Sequence, residues 1–145
     1  MDELIEELKT ALATSFAFYL KAQYFHWNVT GKDFVQLHDF FGKVYEEVLD
    51  SIDTMAEHIR ALDAFAPGGL KRMVDLSLID DTDIIPTDEN MVNTLLKDNQ
   101  TIIKQLNKVF QLADSENEQG LADFISQRLA SHQKHAWMLR SILSK

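Results

Sequence analysis

Residues 34–64 read FVQLHDFFGKVYEEVLDSIDTMAEHIRALDA, and this stretch decides the fold. Phe34, Leu37, Phe41, Val44, Tyr45, Val48, Leu49, Ile52, Met55, Ala56, Ile59 and Leu62 recur at steps of three and four, the spacing that gathers side chains on one face of an α-helix. The pattern holds for roughly 30 residues, which predicts a helix about 45 Å long at 1.5 Å per residue. Asp33 stands where an N-cap belongs, and Ala66-Pro67-Gly68-Gly69 ends the run. A helix of this length needs partners of similar length to cover its apolar stripe.

Such partners lie on both sides. Upstream, Leu4, Leu8, Leu12, Ser15, Tyr19, Ala22 and His26 form a helical face that runs to about Val29, with Gly31 beyond it as a stop. Phe16, Phe18, Phe25 and Trp27 widen that face, which predicts burial on more than one side. Downstream, Leu70 to Ile79 is apolar enough for a short helix inside a long connection. Thr87 precedes a third long helix carrying Met91, Leu95, Leu96, Ile102, Ile103, Leu106, Val109 and Phe110. Ser115 to Gly120 breaks the pattern, and a fourth helix carries Leu121, Phe124, Ile125, Leu129, Ala136, Met138, Leu139 and Ile142. No stretch shows strand periodicity. The prediction is an all-α four-helix bundle with a short extra helix between its second and third helices. The long connection permits a crossover, so those two helices need not be antiparallel neighbours.

Composition agrees and narrows the function. The chain has 145 residues, which predicts one domain spanning residues 1–145. Its 2 Pro and 5 Gly leave room for long elements, and the absence of Cys excludes disulfides, thiolate zinc sites and cysteine nucleophiles. A net charge of −9 argues against a phosphate-binding surface. The first residues, Met1-Asp2-Glu3-Leu4-Ile5-Glu6-Glu7, are acidic where a signal peptide is basic, and no apolar run approaches a membrane span. A soluble, cytoplasmic protein is expected.

The candidate metal ligands are His26 on the first helix and His38, Asp53 and Glu57 on the second. Asp53 and Glu57 are four apart and share a face. His38 lies on broadly the same side but about 22 Å away along the axis, too far to share one ion within one chain. Two copies of the second helix, set antiparallel about a two-fold axis near Glu46, bring His38 of one beside Asp53 and Glu57 of the other. Two imidazoles and two carboxylates suit iron, and zinc or manganese fit the same donors. Spacing alone leaves the bland readings open: an Asp and a Glu on a solvated face, and histidines hydrogen-bonded within a core. His132 and His135, three apart, are expected at the surface of the fourth helix.

The stretch Phe25-His26-Trp27-Asn28-Val29-Thr30-Gly31, then Phe34-Val35-Gln36-Leu37-His38, then Asp53-Thr54-Met55-Ala56-Glu57-His58-Ile59-Arg60-Ala61-Leu62 and Ala66-Pro67-Gly68, resembles the Dps family of starvation-inducible, ferritin-like mini-ferritins. Leu121-Ala122-Asp123-Phe124 and His135-Ala136-Trp137-Met138-Leu139 resemble its fourth helix. The resemblance implies a ferritin-like bundle, a hollow dodecamer, and oxidation of Fe(II), preferably by hydrogen peroxide, with storage of the ferric product. It implies that His26 and His38 of one subunit and Asp53 and Glu57 of its partner bind iron at the dimer interface, with Trp27 beside them. It implies further that Asp123 lines an ion channel, near Glu116 and Glu118. Twelve copies would carry on the order of −100 formal charges, which favours gathering Fe(II).

One position departs from the family. Four residues after His38 the family has an acid, and here stands Gly42. The substitution either weakens a second iron position, with Asp39 or Glu46 nearby as substitutes, or serves close packing. It keeps open an alternative in which a cage with a weakened metal site acts as a binding or scaffold protein. No Lys-rich tail is present, which argues against DNA binding through a flexible terminus.

Overall fold

The computed structural model describes residues 1–145 and contains five helices: α1 (Asp2–Asn28), α2 (Phe34–Ala61), α3 (Leu70–Leu76), α4 (Asp88–Ser115) and α5 (Gln119–Leu143). Four are long, and the short α3 lies in the connection between α2 and α4, as the periodicities predict. The architecture is all-α, a four-helix bundle with one extra helix.

Short turns pair the helices. Residues 29–33 join α1 to α2, and residues 116–118 join α4 to α5, so each pair packs as an antiparallel hairpin. The connection 62–87 then carries the chain across the bundle, and α4 packs against α1. That crossover explains the breadth of the apolar surface on α1, which meets α2, α4 and α3 at once. Leu8, Phe18, Phe25, Phe41, Met55, Ile59, Leu95, Ile102, Leu106 and Leu139 belong to one cluster of 26 buried apolar residues. Full burial of a side chain of this size contributes about 1.5–3 kcal/mol, so this cluster dominates the stability of the bundle.

The helix ends differ from the sequence reading where local chemistry overrides periodicity. Thr87 caps α4 by accepting from the N–H of Asn90, with Asp88 and Glu89 in the positive first turn. Asp33 occupies the N-cap of α2, but its side chain makes no cap hydrogen bond. α2 stops at Ala61 because Asp63 turns into the left-handed region at φ 64, and the Ala64 N–H then bonds back to the Ile59 carbonyl. α3 ends at Leu76, short of Ile79: Ser77 is extended, and the Leu78 N–H donates to Thr14 Oγ1 on α1 at 3.0 Å. α5 starts at Gln119, so Gly120 falls inside its first turn.

Two features of the surface bear on function. A groove of about 330 Å³ runs between α1 and the α3 segment, bordered by Phe16, Leu20, Trp27, Leu70 and Val74. Trp27 is 62% exposed and Leu70 is 72% exposed, so apolar area here is uncovered in the single chain. No helix is long and apolar enough to cross a membrane.

Candidate metal centre

His26 sits in the last turn of α1 and His38 in the second turn of α2, on either side of the turn that joins them. Their rings stack at 3.8 Å between centroids, 15° from parallel. His26 Nδ1–H donates to the His38 carbonyl at 2.6 Å, and His38 Nδ1–H donates to the His26 carbonyl at 2.7 Å. The last carbonyls of a helix lack intrahelical donors, and His38 supplies one for α1. The exchange also fixes the tautomer. With Nδ1 committed to a carbonyl, each neutral ring presents an unprotonated Nε2, the arrangement in which a histidine is held ready for a metal. Phe34 stacks on His38 and Tyr45 leans on His26, with centroids 5.2 and 5.3 Å away.

Gly42 belongs to this arrangement. A Cβ at position 42 would lie 3.1 Å from both Cε1 and Nδ1 of His26. The His26 ring fills the space that any other residue would need. Of the two readings of Gly42, close packing has this contact behind it.

Asp53 and Glu57 stand one turn apart on the exposed face of α2, and neither takes part in an intrachain ion pair. One chain therefore brings His26 and His38 together but does not bring Asp53 and Glu57 to them. No three His, Asp or Glu side chains of the single chain gather around a common point where an ion could bind. The donors nevertheless fit iron: two imidazole lone pairs and two carboxylates without internal partners are borderline-to-hard ligands with open positions. Trp27 follows His26 directly and borders the α1–α3 groove. Asp123 is exposed on α5 and accepts from Gln127 Nε2 at 3.0 Å. Glu116 is tied to the Met1 amino group at 2.7 Å.

The expectation that His132 and His135 lie at the surface is wrong. His132 is 0% exposed and His135 is 7% exposed. Arg128, on the same helix, makes a two-nitrogen fork on the Glu47 carboxylate of α2. His135 Nε2 donates to Glu47 Oε1 at 2.9 Å, and His132 Nδ1–H donates to Asn99 Oδ1 of α4 at 2.7 Å. The signal was present: Leu121, Ile125, Arg128, His132, His135 and Leu139 follow steps of four and three, the inward stripe of the helix. Burial by itself would push the Glu47 carboxyl up. The hydrogen bonds from His135 and Arg128 overcome it and hold Glu47 well below the usual carboxylate range. Burial, with the Arg128 charge added, keeps His132 neutral well below its ordinary value of 6.5.

A bundle of this order, with a crossover between its second and third long helices, is a ferritin-like fold. The ferritin-like domain pattern matches residues 5–145. The chain is 30% identical over 143 residues to DNA protection during starvation protein 2 of Bacillus anthracis, covering 99% of this chain and 98% of that one. The crystal structure of Dps from Staphylococcus aureus superposes with a TM-score of 0.95 at 30% identity, over 100% of this chain and 97% of that one. The Dps protein of Vibrio cholerae, described as a member of a broad superfamily of ferritin-like diiron-carboxylate proteins, superposes at 0.93 with 26% identity, over 99% and 90% of the two chains. The chain belongs to the Dps family, the mini-ferritins among the iron-storage proteins.

Proposed function

We propose that this protein oxidises Fe(II) at sites shared between subunits and stores the ferric product in a hollow dodecamer. His26 and His38 of one subunit and Asp53 and Glu57 of its partner hold the ion, with Trp27 alongside. The observation that carries the reading is the paired histidine clamp, which leaves two Nε2 lone pairs directed away from the backbone that fixes them. The two carboxylates without internal partners supply the complementary half. Apolar surface left uncovered around Trp27 and Leu70 supports a second copy packing there.

The substrate is Fe(II) and the preferred oxidant hydrogen peroxide. Two Fe(II) give one electron each to one peroxide, its O–O bond breaks, and two protons complete two waters. Passing both electrons to one peroxide avoids the hydroxyl radical that a single-electron transfer releases. The imidazoles bind without adding charge, and the carboxylates offset the charge gained on oxidation. Asp123 serves the entry path, and the net charge of −9 per chain favours cation uptake. Protection of DNA follows in the cytoplasm from removal of iron and peroxide, without a basic tail to grip it.

Anaerobic titration with Fe(II) followed by peroxide tests this reading. The parent oxidises iron fast and in a fixed ratio to peroxide, and His38→Ala or Asp53→Ala slows the reaction while the assembly stays intact. Equal rates in parent and variants overturn the site assignment. Absence of fast oxidation in the parent favours the scaffold reading that Gly42 keeps open.

A further inference from the structure

Between α2, α4 and α5, an arginine stands where a metal ion would. One terminal nitrogen of Arg128 lies 3.0 Å from Glu47 Oε1 and 3.2 Å from His132 Nε2, and the other bonds Glu47 Oε2. His135 Nε2 lies 2.9 Å from that same Oε1. One carboxylate and two imidazoles thus converge around one cationic group, whose side chain is only 6% exposed. His132 is held as metal-binding histidines are held. Its Nδ1–H is spent on Asn99 Oδ1, and its Nε2 lone pair faces the cation. Asn99 is locked in turn by donating to the His132 carbonyl at 2.8 Å. The cluster is closed, since no buried side-chain nitrogen or oxygen lacks a partner.

One carboxylate with two imidazoles is a donor set that zinc and iron accept. The interior of the bundle is also where the larger ferritin-like carboxylate proteins build their metal centres, from side chains on facing helices. We propose that Arg128 is the resident cation of a metal-type site inside the bundle, and that its guanidinium excludes divalent ions from that interior. If the inter-subunit reading above holds, Arg128 thereby confines iron to the interface. The guanidinium suits this task because it stays charged at every pH the protein meets. A divalent ion entering the cluster would face a fixed positive charge and would have to displace the two-nitrogen fork on Glu47.

The test uses Co(II) alone as probe, in full-length protein carrying His38→Ala and Asp53→Ala so that the interface is silent. Adding Arg128→Ala is expected to create binding of about one further Co(II) per chain, with the absorption bands of a low-coordinate site. Co(II) then raises the thermal midpoint of that variant and not of the Arg128 protein, because the ion binds only the folded form. Adding Glu47→Gln abolishes both effects. Arg128→Lys, which keeps the positive charge, gains no Co(II). A helical Arg128→Ala protein without extra Co(II) overturns the proposal, as does binding that survives Glu47→Gln or equal binding by Arg128→Lys. Should Arg128→Ala fail to fold, Arg128→Gln carries the same readings. Co(II) retained by the Arg128 protein with a silenced interface would overturn the interface assignment instead, and leaves the Arg128 comparison intact.

Discussion

Two clusters of this chain contain two histidines near a carboxylate-bearing helix, and they differ in whether they are finished. The Glu47–Arg128–His132–His135 cluster draws on three helices and satisfies itself within one chain. The His26–His38 pair uses only half of each ring and leaves Nε2 without an internal partner. Its complementary acids, Asp53 and Glu57, face outward elsewhere on α2. Histidines and acids alone do not make a site. What distinguishes a structural network from a candidate binding centre is the bonding capacity left over after folding.

The largest expected effect comes from opening the closed cluster. Glu47→Ala strands the buried Arg128 charge, and breaking such a pair costs about 3–5 kcal/mol, toward the lower end because Glu47 touches solvent. Thermal denaturation should show a clear drop for Glu47→Ala and almost none for Asp53→Ala in the same chain. Comparable losses in both would erase the contrast.

Catalysis sharpens the comparison from the other side. His38→Ala and Asp53→Ala should each lower the rate of peroxide-driven iron oxidation by at least about 10–100-fold, the scale seen when even supporting contacts of a metal site are removed. Stopped-flow absorbance of the ferric product measures it. His132→Asn should leave that rate within a few-fold of the parent, and a collapse there would mean that the two clusters act together.

Acid should act on the closed cluster. Glu47 has a folded pKa below its ordinary 4.5, so the stability it contributes is present above that value and is lost as pH falls toward the folded pKa. His132 stays neutral in the fold below 6.5, so the unfolded chain takes up a proton first and stability declines as pH drops through 6.5. Denaturation midpoints should therefore fall between about pH 7 and about pH 5, and His132→Asn should flatten that part of the curve. A parent curve that is flat over this range would contradict the burial of His132.

The smallest effect concerns Gly42. Alanine gains about 1 kcal/mol of helix propensity over glycine. Its Cβ would meet the His26 ring at 3.1 Å, and that ring is bonded to the His38 carbonyl and stacked on its neighbour. Gly42→Ala should leave the thermal midpoint nearly unchanged while lowering affinity for Fe(II) a few-fold, read by anaerobic titration. Unchanged affinity would show that His26 yields freely.

The sequence carried most of the fold, because four long periodic runs admit few arrangements. Helix ends were less legible: Asp63 in a left-handed turn and the tie from Leu78 to Thr14 depend on chain reversal and on a neighbour 64 residues away. His26 and His38 were readable as a pair by resemblance, but their exchange of backbone bonds was not, since it exists only once α1 and α2 are laid side by side. His132 and His135 were misjudged because charged and polar types suggest solvent, although their spacing with Ile125 and Leu139 points inward.

The histidine clamp joins residues only twelve apart in sequence, across one tight turn. Contacts this local form early in folding. On the inter-subunit reading, each newly made polypeptide therefore arrives with the nitrogen donors already in place, while the oxygen donors come only with company. Iron handling would then have a concentration threshold: dilution that parts the copies would silence it without melting a single helix.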